Sequence, residues 1–165
     1  MPEGPEVKIS TDFLKKNVRK INSINIESLA YKKKFSQVIN IANKHLTEKA
    51  NFFCIGKNIF LKLSEKNNLH IHLGMTGSFT FKKQKHNHLS FSTPNGKIFF
   101  NDIRRFGFVK IISDETICLK FNKIIDILND NYDIKTHINL LNNISGNLEI
   151  CKILLNQKYF PGVRN

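Results

Sequence analysis

The chain has 165 residues, which is enough for one domain with a sizeable core. Its 26 Lys and Arg against 13 Asp and Glu give a formal net charge of +13. Codon bias in an AT-rich genome could enrich lysine, but it explains the deficit of acids less well, and the charge favours a protein that binds nucleic acid. No apolar run approaches the roughly 20 residues of a membrane span, and no signal peptide is visible.

The first helix is predicted from Pro5 to about Val18. Val7, Thr11, Leu14 and Val18 recur at helical spacing. Gly4 is the predicted N-cap and Pro5 the first helical residue, since proline is well tolerated at that position.

Beyond this helix the apolar period changes to two, which is typical of strands. A strong hairpin signal lies at 93–96, where proline presets φ and Asn-Gly supplies a positive φ. Many short strands with regular turns predict a β-sandwich or barrel behind one N-terminal helix. The predicted strands are 24–26, 52–55, 58–63, 69–73, 78–81, 89–92, 97–100 and 106–112.

After about residue 121 the apolar residues return to helical spacing, with pairs such as Leu140-Leu141 and the set Ile150, Ile153 and Leu154. We therefore predict an α+β fold: an N-terminal helix with an antiparallel β-sandwich, followed by a short helical segment. The predicted division is a catalytic unit at 1–125 and a helical unit at 126–165.

The three cysteines lie far apart, at Cys54, Cys118 and Cys151. No Cys-x-x-Cys pair is present, so a local zinc site is not expected, and an odd number argues against a disulfide framework. We expect reduced and mostly buried thiols.

The amino terminus could carry chemistry. Removal of Met1 would make Pro2 the terminus, with a secondary amine whose pKa of about 8 leaves part of it unprotonated and nucleophilic. Such an amine can attack a sugar C1′, expel a base and form a Schiff base, while Glu3 moves protons. The alternative is that Pro-Glu-Gly-Pro is simply a capped, exposed helix start.

Two further segments could contact nucleic acid. Gly56 permits close backbone approach beside Lys57, which could contact a phosphate; the alternative is a solvated surface lysine. Met75 lies on a Gly-bounded loop, which suits a wedge entering a base stack. His70 and His72 share a strand face, but without a nearby acid or cysteine a phosphate or structural contact is favoured over metal binding.

The segment Asp102-Ile-Arg-Arg-Phe-Gly107 combines cations with an aromatic ring at a turn. Phe106 could stack in the gap left by an extruded base while Arg104 hydrogen-bonds the orphaned partner. The alternative is an Asp102–Arg ion pair with Phe106 in the core.

These motifs occur together, in this order, in one family. The chain resembles the formamidopyrimidine-DNA glycosylase and endonuclease VIII family over residues 2–165, and the formamidopyrimidine branch in particular. The resemblance rests on the terminal Pro-Glu-Gly-Pro-Glu-Val, Gly56-Lys57, the Met75 loop and the Arg104 segment. It also rests on Lys85-His-Asn-His88 and on Leu154-Leu-Asn-Gln157 through Gly162-Val-Arg-Asn165.

The resemblance implies a bifunctional glycosylase and β,δ-lyase that removes oxidised bases from double-stranded DNA, acting as a monomer without a membrane. It makes Pro2 the Schiff-base nucleophile, Glu3 the acid and base at the sugar, and Glu6 a supporting carboxylate. The remaining implied residues bind DNA. Lys57, which is also counted as catalytic, contacts the phosphates around the lesion together with His72 and Asn165. Met75, Arg104 and Phe106 fill the space left by the flipped nucleotide, and Arg105 binds DNA beside them.

The sequence departs from the family pattern at its end. Arg164 replaces a glycine of the family's turn, where a positive φ would disfavour a Cβ. The resemblance also implies a helix–two-turn–helix module and a zinc or zincless finger beyond Asn165, so we expect a truncated chain that binds no zinc. Two alternatives stay open: a catalytically idle remnant that binds damaged DNA, and an unrelated basic β-domain that binds RNA.

Overall fold

The computed structural model describes residues 2–64, 66–121, 124–129, 132–144 and 146–163. Its helices and strands in chain order are α1 Gly4–Asn17, β1 Ser23–Ile26, α2 Leu29–Lys44, β2 Phe52–Ile55, β3 Asn58–Lys62, β4 Asn67–His72, β5 Ser78–Thr80, β6 Asn87–Thr93, β7 Gly96–Asn101, β8 Phe108–Ser113, α3 Asp114–Phe121, α4 Ile134–Asn142 and α5 Ile150–Leu154. None of the described helices is long and apolar enough to cross a membrane.

The strands form two four-stranded antiparallel sheets. One has the order β1-β6-β7-β5 and the other β2-β3-β4-β8. The main core packs between them, because alternate residues of each strand point inward; it includes Phe52, Ile59, Leu69, Phe91 and Phe100, each at most 1% exposed. The predicted α+β fold with an antiparallel β-sandwich is confirmed.

The first helix lies on this core through its predicted stripe, with Val7, Thr11 and Leu14 buried. Its start differs by one residue from the prediction: Glu3 is the N-cap, with extended backbone, and Gly4 is the first helical residue. The Glu6 carboxylate accepts the Glu3 N–H at 3.0 Å. Glu3 is therefore the N-cap in place of Gly4, because the Glu6 carboxylate satisfies the Glu3 N–H, which no helical carbonyl could accept.

The predicted single helix ahead of the strands is α1, but the sequence pattern did not reveal a second helix, α2, which lies between β1 and β2. It begins after Ser28, whose Oγ accepts the Tyr31 N–H at 3.3 Å. Tyr31, Ile39 and Ala42 are buried, at the spacing that one helix face requires. The exposed lysines between them hide this pattern in the sequence.

The third helix also differs from prediction. It begins at Asp114, well before residue 121, and residues 124–129, where helical spacing was predicted, are not helical. Its Ile117 packs with Phe60 and Ile112 in a second, smaller cluster on the second sheet. The free thiols differ as well: Cys54 is half-buried, whereas Cys118 and Cys151 are exposed, so burial was wrong for two of the three.

His70 on β4 is held as a neutral ring inside the protein. It is 3% exposed, its Nε2 lies 2.8 Å from the Asn58 amide oxygen, and it stacks on Phe60. Burial, with Lys110 adding to it, lowers the pKa of His70 from 6.5 to about 4. Protonation would place a charge where water cannot solvate it.

This burial predicts acid sensitivity. A histidine whose pKa falls on folding stabilises the native state fully above its unfolded pKa of 6.5 and loses that contribution as the pH falls towards 4. The contribution is about 3 kcal/mol in the free energy of unfolding. In urea titrations from pH 7 to pH 4, the free energy of unfolding of His70→Gln should fall less steeply with decreasing pH than that of wild type. The control His86→Gln should retain the wild-type slope; equal slopes in all three proteins would contradict the assignment.

Candidate active site

The amino terminus is fixed by contact with two distant turns. The Gly4 N–H donates to the Gly162 carbonyl at 2.9 Å, and a Cβ on Gly162 would lie 2.7 Å from the Gly4 Cα. A Cβ on Gly56, whose φ is +55°, would lie 3.7 Å from the Gly162 nitrogen. Glycine at positions 4 and 162 therefore allows the terminus to meet the Pro161-Gly162 turn, and glycine at position 56 allows the positive φ of the Gly56-Lys57 turn beside them.

Lys57 is half-buried at this junction rather than a freely solvated surface residue. Its Nζ donates to the Val163 carbonyl at 3.1 Å, and the Gln157 amide donates to the same carbonyl at 2.6 Å. Gln157 Oε1 also accepts the Gly162 N–H at 3.0 Å. The ammonium group is thus held beside the terminus. Arg164 and Asn165, predicted to follow here, lie outside the described residues, as does Met1.

Pro2, Glu3 and Glu6 are the residues predicted to act at the terminus. They lie close together in the chain, and one hydrogen bond connects Glu6 to this segment. Pro2 and Glu3 are half-buried and Glu6 is exposed. The N–H that Glu6 accepts belongs to the peptide bond between Pro2 and Glu3. Glu6 therefore fixes the peptide unit adjoining the Pro2 ring, while α1 supplies a rigid base.

His72 lies at the same edge of the second sheet as Lys57, since it pairs with Asn58 across β3 and β4. Its Nδ1 accepts the Gly74 N–H at 3.0 Å, and its ring stacks on Phe108 with centroids 5.0 Å apart. Burial, with smaller effects from Lys57 and Lys110, lowers the pKa of His72. The ring is therefore neutral with its proton on Nε2, which can donate to an anion.

Beyond His72 two loops, residues 74–77 and 103–107, project exposed side chains. Met75 is 38% exposed and Phe106 54% exposed. The Arg104 guanidinium carbon lies 5.2 Å from the centre of the Phe106 ring, a cation–π arrangement. We call Met75, Arg104 and Phe106 the wedge. The alternative in which Phe106 packs in the core is excluded by its exposure.

Asp102 joins the two loops. It is fully buried, and its carboxylate accepts the Thr76 hydroxyl at 2.5 Å and the Gly107 N–H at 2.7 Å. Thr76 Oγ1 in turn accepts the Arg104 N–H at 3.1 Å. A Cβ on Gly74 would lie 2.4 Å from the Phe106 carbonyl carbon, so the loops are in direct contact. Asp102 therefore anchors the wedge and does not serve as a surface partner of an arginine.

Removal of this anchor should destabilise the fold. In Asp102→Ala the Thr76 hydroxyl and the Gly107 N–H lose their acceptor inside the protein. We expect the free energy of unfolding in urea to fall by about 3 kcal/mol, because unsatisfied buried donors cost about 1–3 kcal/mol each. Asp102→Asn, which keeps one acceptor oxygen, should lose less. A loss below about 1 kcal/mol in the alanine variant would contradict the anchoring role.

Arg105 is held in an unusual conformation next to the wedge. Its φ is +57°, its N–H donates to the Asp102 carbonyl at 3.3 Å, and its side chain is exposed. The described site residues thus line one edge of the sandwich in the order Pro2, Glu3, Lys57, His72 and wedge. Among the described residues no group of three metal-ligating side chains comes together.

Sequence reasoning missed the residues that hold this edge together. Asp126 is buried and accepts the N–H groups of Gly56 at 2.7 Å and Leu128 at 3.0 Å. Tyr31 donates to the Gly107 carbonyl at 3.0 Å. An acid inside the apolar run 124–128 is a signal that could have identified Asp126; nothing local marked Tyr31.

This sandwich, with an amino terminus held at its edge, defines a class of fold that comparison with known proteins identifies. Residues 1–109 match the family described as "Formamidopyrimidine-DNA glycosylase N-terminal domain". That match covers more than half of the chain. The chain belongs to the formamidopyrimidine-DNA glycosylase family.

Individual relatives of the chain carry the name of the same family. A formamidopyrimidine-DNA glycosylase from Wolbachia pipientis is 29% identical over 176 residues, which cover all of this chain and 63% of the relative. One from Rickettsia africae is 34% identical over 119 residues, covering 66% of this chain and 42% of the relative. The chain thus spans less than two thirds of the length of these relatives.

Solved structures show the same fold. MutM in complex with DNA containing carbocyclic 8-oxo-G has a TM-score of 0.72 and 25% identity, covering 99% of this chain and 65% of that one. Lactococcus lactis Fpg in complex with DNA containing an abasic site has a TM-score of 0.71 and 24% identity, covering 99% and 63%. The second likeness concerns the fold alone.

Proposed function

We propose that this chain carries the catalytic part of a DNA glycosylase and abasic-site lyase that removes oxidised bases from double-stranded DNA. The observation that carries the proposal is the rigid attachment of the Pro2-Glu3 terminus beside the half-buried Lys57. A nucleophile held in place gains rate because the entropy of positioning is spent in folding. The names of the relatives and the DNA in their solved complexes support the substrate class.

In the proposed reaction the Pro2 nitrogen, unprotonated, attacks C1′ of the damaged nucleotide. The glycosidic bond breaks, and the base leaves with the bonding electron pair and takes up a proton. The amine nitrogen releases its own proton, the sugar ring opens with protonation of O4′, and the nitrogen becomes an iminium Schiff base. Glu3 exchanges protons with the sugar in these steps.

The same Schiff base permits strand cleavage. It acidifies C2′, whose proton is removed as the 3′ phosphate leaves in β-elimination; a second elimination releases the 5′ phosphate. Hydrolysis of the imine then regenerates Pro2. In this account Lys57, Nε2 of His72 and Asn165 bind the phosphates around the lesion, which keeps C1′ within reach of the terminus.

The wedge would occupy the space of the flipped nucleotide. Met75 and Phe106 are apolar and exposed, on two loops that are in contact. In this account Arg104 hydrogen-bonds the unpaired base and Arg105 contacts the backbone. We assign catalysis to residues 1–125 and the supporting turn to 126–165. The protein acts as a monomer on one lesion.

The proposal is tested by equilibrium binding to two duplexes, one with a stable abasic-site analogue and one intact. We expect tighter binding to the first, and a loss of that preference by about tenfold in Met75→Ala/Phe106→Ala, since each unstacked step costs a few kcal/mol that the wedge offsets. Phe81→Ala, which removes another exposed ring, is the control. Equal affinity of wild type for both duplexes, or for single-stranded RNA, would refute the proposal.

A further inference from the structure

Next to the wedge lies a hollow that shares only Arg105 with the DNA contacts proposed above. Its volume is about 420 Å³, and it is lined by Leu29, Ala30, Tyr31, Lys33, Lys34 and Arg105. Leu29 is 77% exposed at its mouth. The hollow therefore combines an apolar floor with three cations.

The two sides of the hollow are joined rigidly. Tyr31 stacks on His88 with centroids 4.6 Å apart, and the Tyr31 hydroxyl donates to Gly107. His88 Nε2 lies 2.9 Å from the Asp102 carbonyl and its Nδ1 2.8 Å from the Ser28 hydroxyl. Helix α2, which carries Lys33 and Lys34, is thus fixed to the loop that carries Arg105 and the wedge.

The cations of the hollow are available to a ligand. Lys33, Lys34 and Arg105 are exposed, and none forms an ion pair with a carboxylate among the described residues. Three uncompensated cations around an apolar floor match a deoxyribose-phosphate unit, whose sugar is apolar on one face and whose phosphate is anionic.

We propose that this hollow binds the sugar–phosphate backbone of DNA beside the wedge, with Lys33 and Lys34 of α2 as phosphate contacts. The inference rests on the proposed function, because it takes duplex DNA as the ligand. It extends the DNA surface from the catalytic edge on to α2. Since Arg105 adjoins the wedge in the chain, the bound phosphate lies next to the step that the wedge opens.

The test is the salt dependence of binding to the abasic-analogue duplex. Each lost phosphate contact reduces the slope of log K against log salt by about 0.9, so Lys33→Ala/Lys34→Ala should lower it by about 1 to 2 and weaken binding about tenfold. The matched control is Lys32→Ala/Lys44→Ala, which removes the same charge from the same helix outside the hollow. A series of duplexes with single methylphosphonates should identify the phosphate that no longer matters in the first variant.

Equal decreases of salt slope and duplex affinity in the two double variants would overturn the inference, because the general loss of positive charge would then explain them. Loss of binding to a polyglutamate peptide with unchanged duplex binding would also overturn it, by assigning the hollow to an acidic protein. Schiff-base trapping by the first variant at saturating DNA should equal that of wild type. Failure of wild type to trap would count against the proposed function, whereas unchanged salt slopes in a trapping-competent protein would count against the hollow alone.

Discussion

Protein that retains Met1 should form no borohydride-reducible adduct with abasic DNA, whereas protein beginning at Pro2 should form one. In the first protein the Pro2 nitrogen is part of a peptide bond and has no lone pair available for attack. We expect a loss of at least about 100-fold in trapped complex, the lower range for removing a group that takes part directly in chemistry. Trapping is measured by gel shift after reduction.

The matched control separates chemistry from binding. Affinity of the two proteins for an abasic-analogue duplex, which cannot form an imine, should agree closely. A Lys57→Arg variant that begins at Pro2 should still form an adduct, because its α-amine is intact. Efficient trapping by the protein that retains Met1 would show that another amine is the nucleophile.

Glu3→Gln should reduce base removal by about 10²–10⁴-fold, the range for loss of a general acid or base. The substitution keeps the size of the side chain and leaves the Glu3 N–H bonded to Glu6, so the terminus should stay in position. Single-turnover release of 8-oxoguanine from a duplex measures the effect.

Two comparisons sharpen that result. Glu48→Gln removes an exposed carboxylate elsewhere and should leave the rate unchanged. Trapping of Glu3→Gln on a preformed abasic site should fall much less than base release, since the glycosidic bond is already broken. A decrease of less than about threefold in base release would contradict proton transfer by Glu3.

Much of the fold could be predicted because its determinants are local. Alternation of apolar residues, with the Pro-Asn-Gly turn at 94–96, identifies strands before any tertiary contact is known. Helix α2 was missed because its apolar face is interrupted by a lysine run, although Tyr31, Ile39 and Ala42 carry the helical spacing. The helix start was misplaced by one residue because the Glu6 contact determines the cap.

The residues of the candidate site could be predicted from the sequence, but the tertiary contacts that hold them in position could not. Lys57 and Val163 lie more than a hundred positions apart in the chain, at 3.1 Å in space, and no local pattern reports such a contact. Exposure of Phe106 is also a tertiary property, because the same sequence is compatible with a core position. Asp102 could be located, but its role as the anchor of two loops depends on Thr76 and Gly107.

Peptide mapping of the trapped adduct shows which nitrogen attacks the sugar. Protein beginning at Pro2 is reduced with borohydride on an abasic duplex, digested with protease and nuclease, and analysed by mass spectrometry. Because the Pro2 nitrogen performs the attack, we expect the added sugar mass on the peptide that begins Pro2-Glu3. An adduct on a peptide that contains Lys57, with an unmodified terminus, would contradict it.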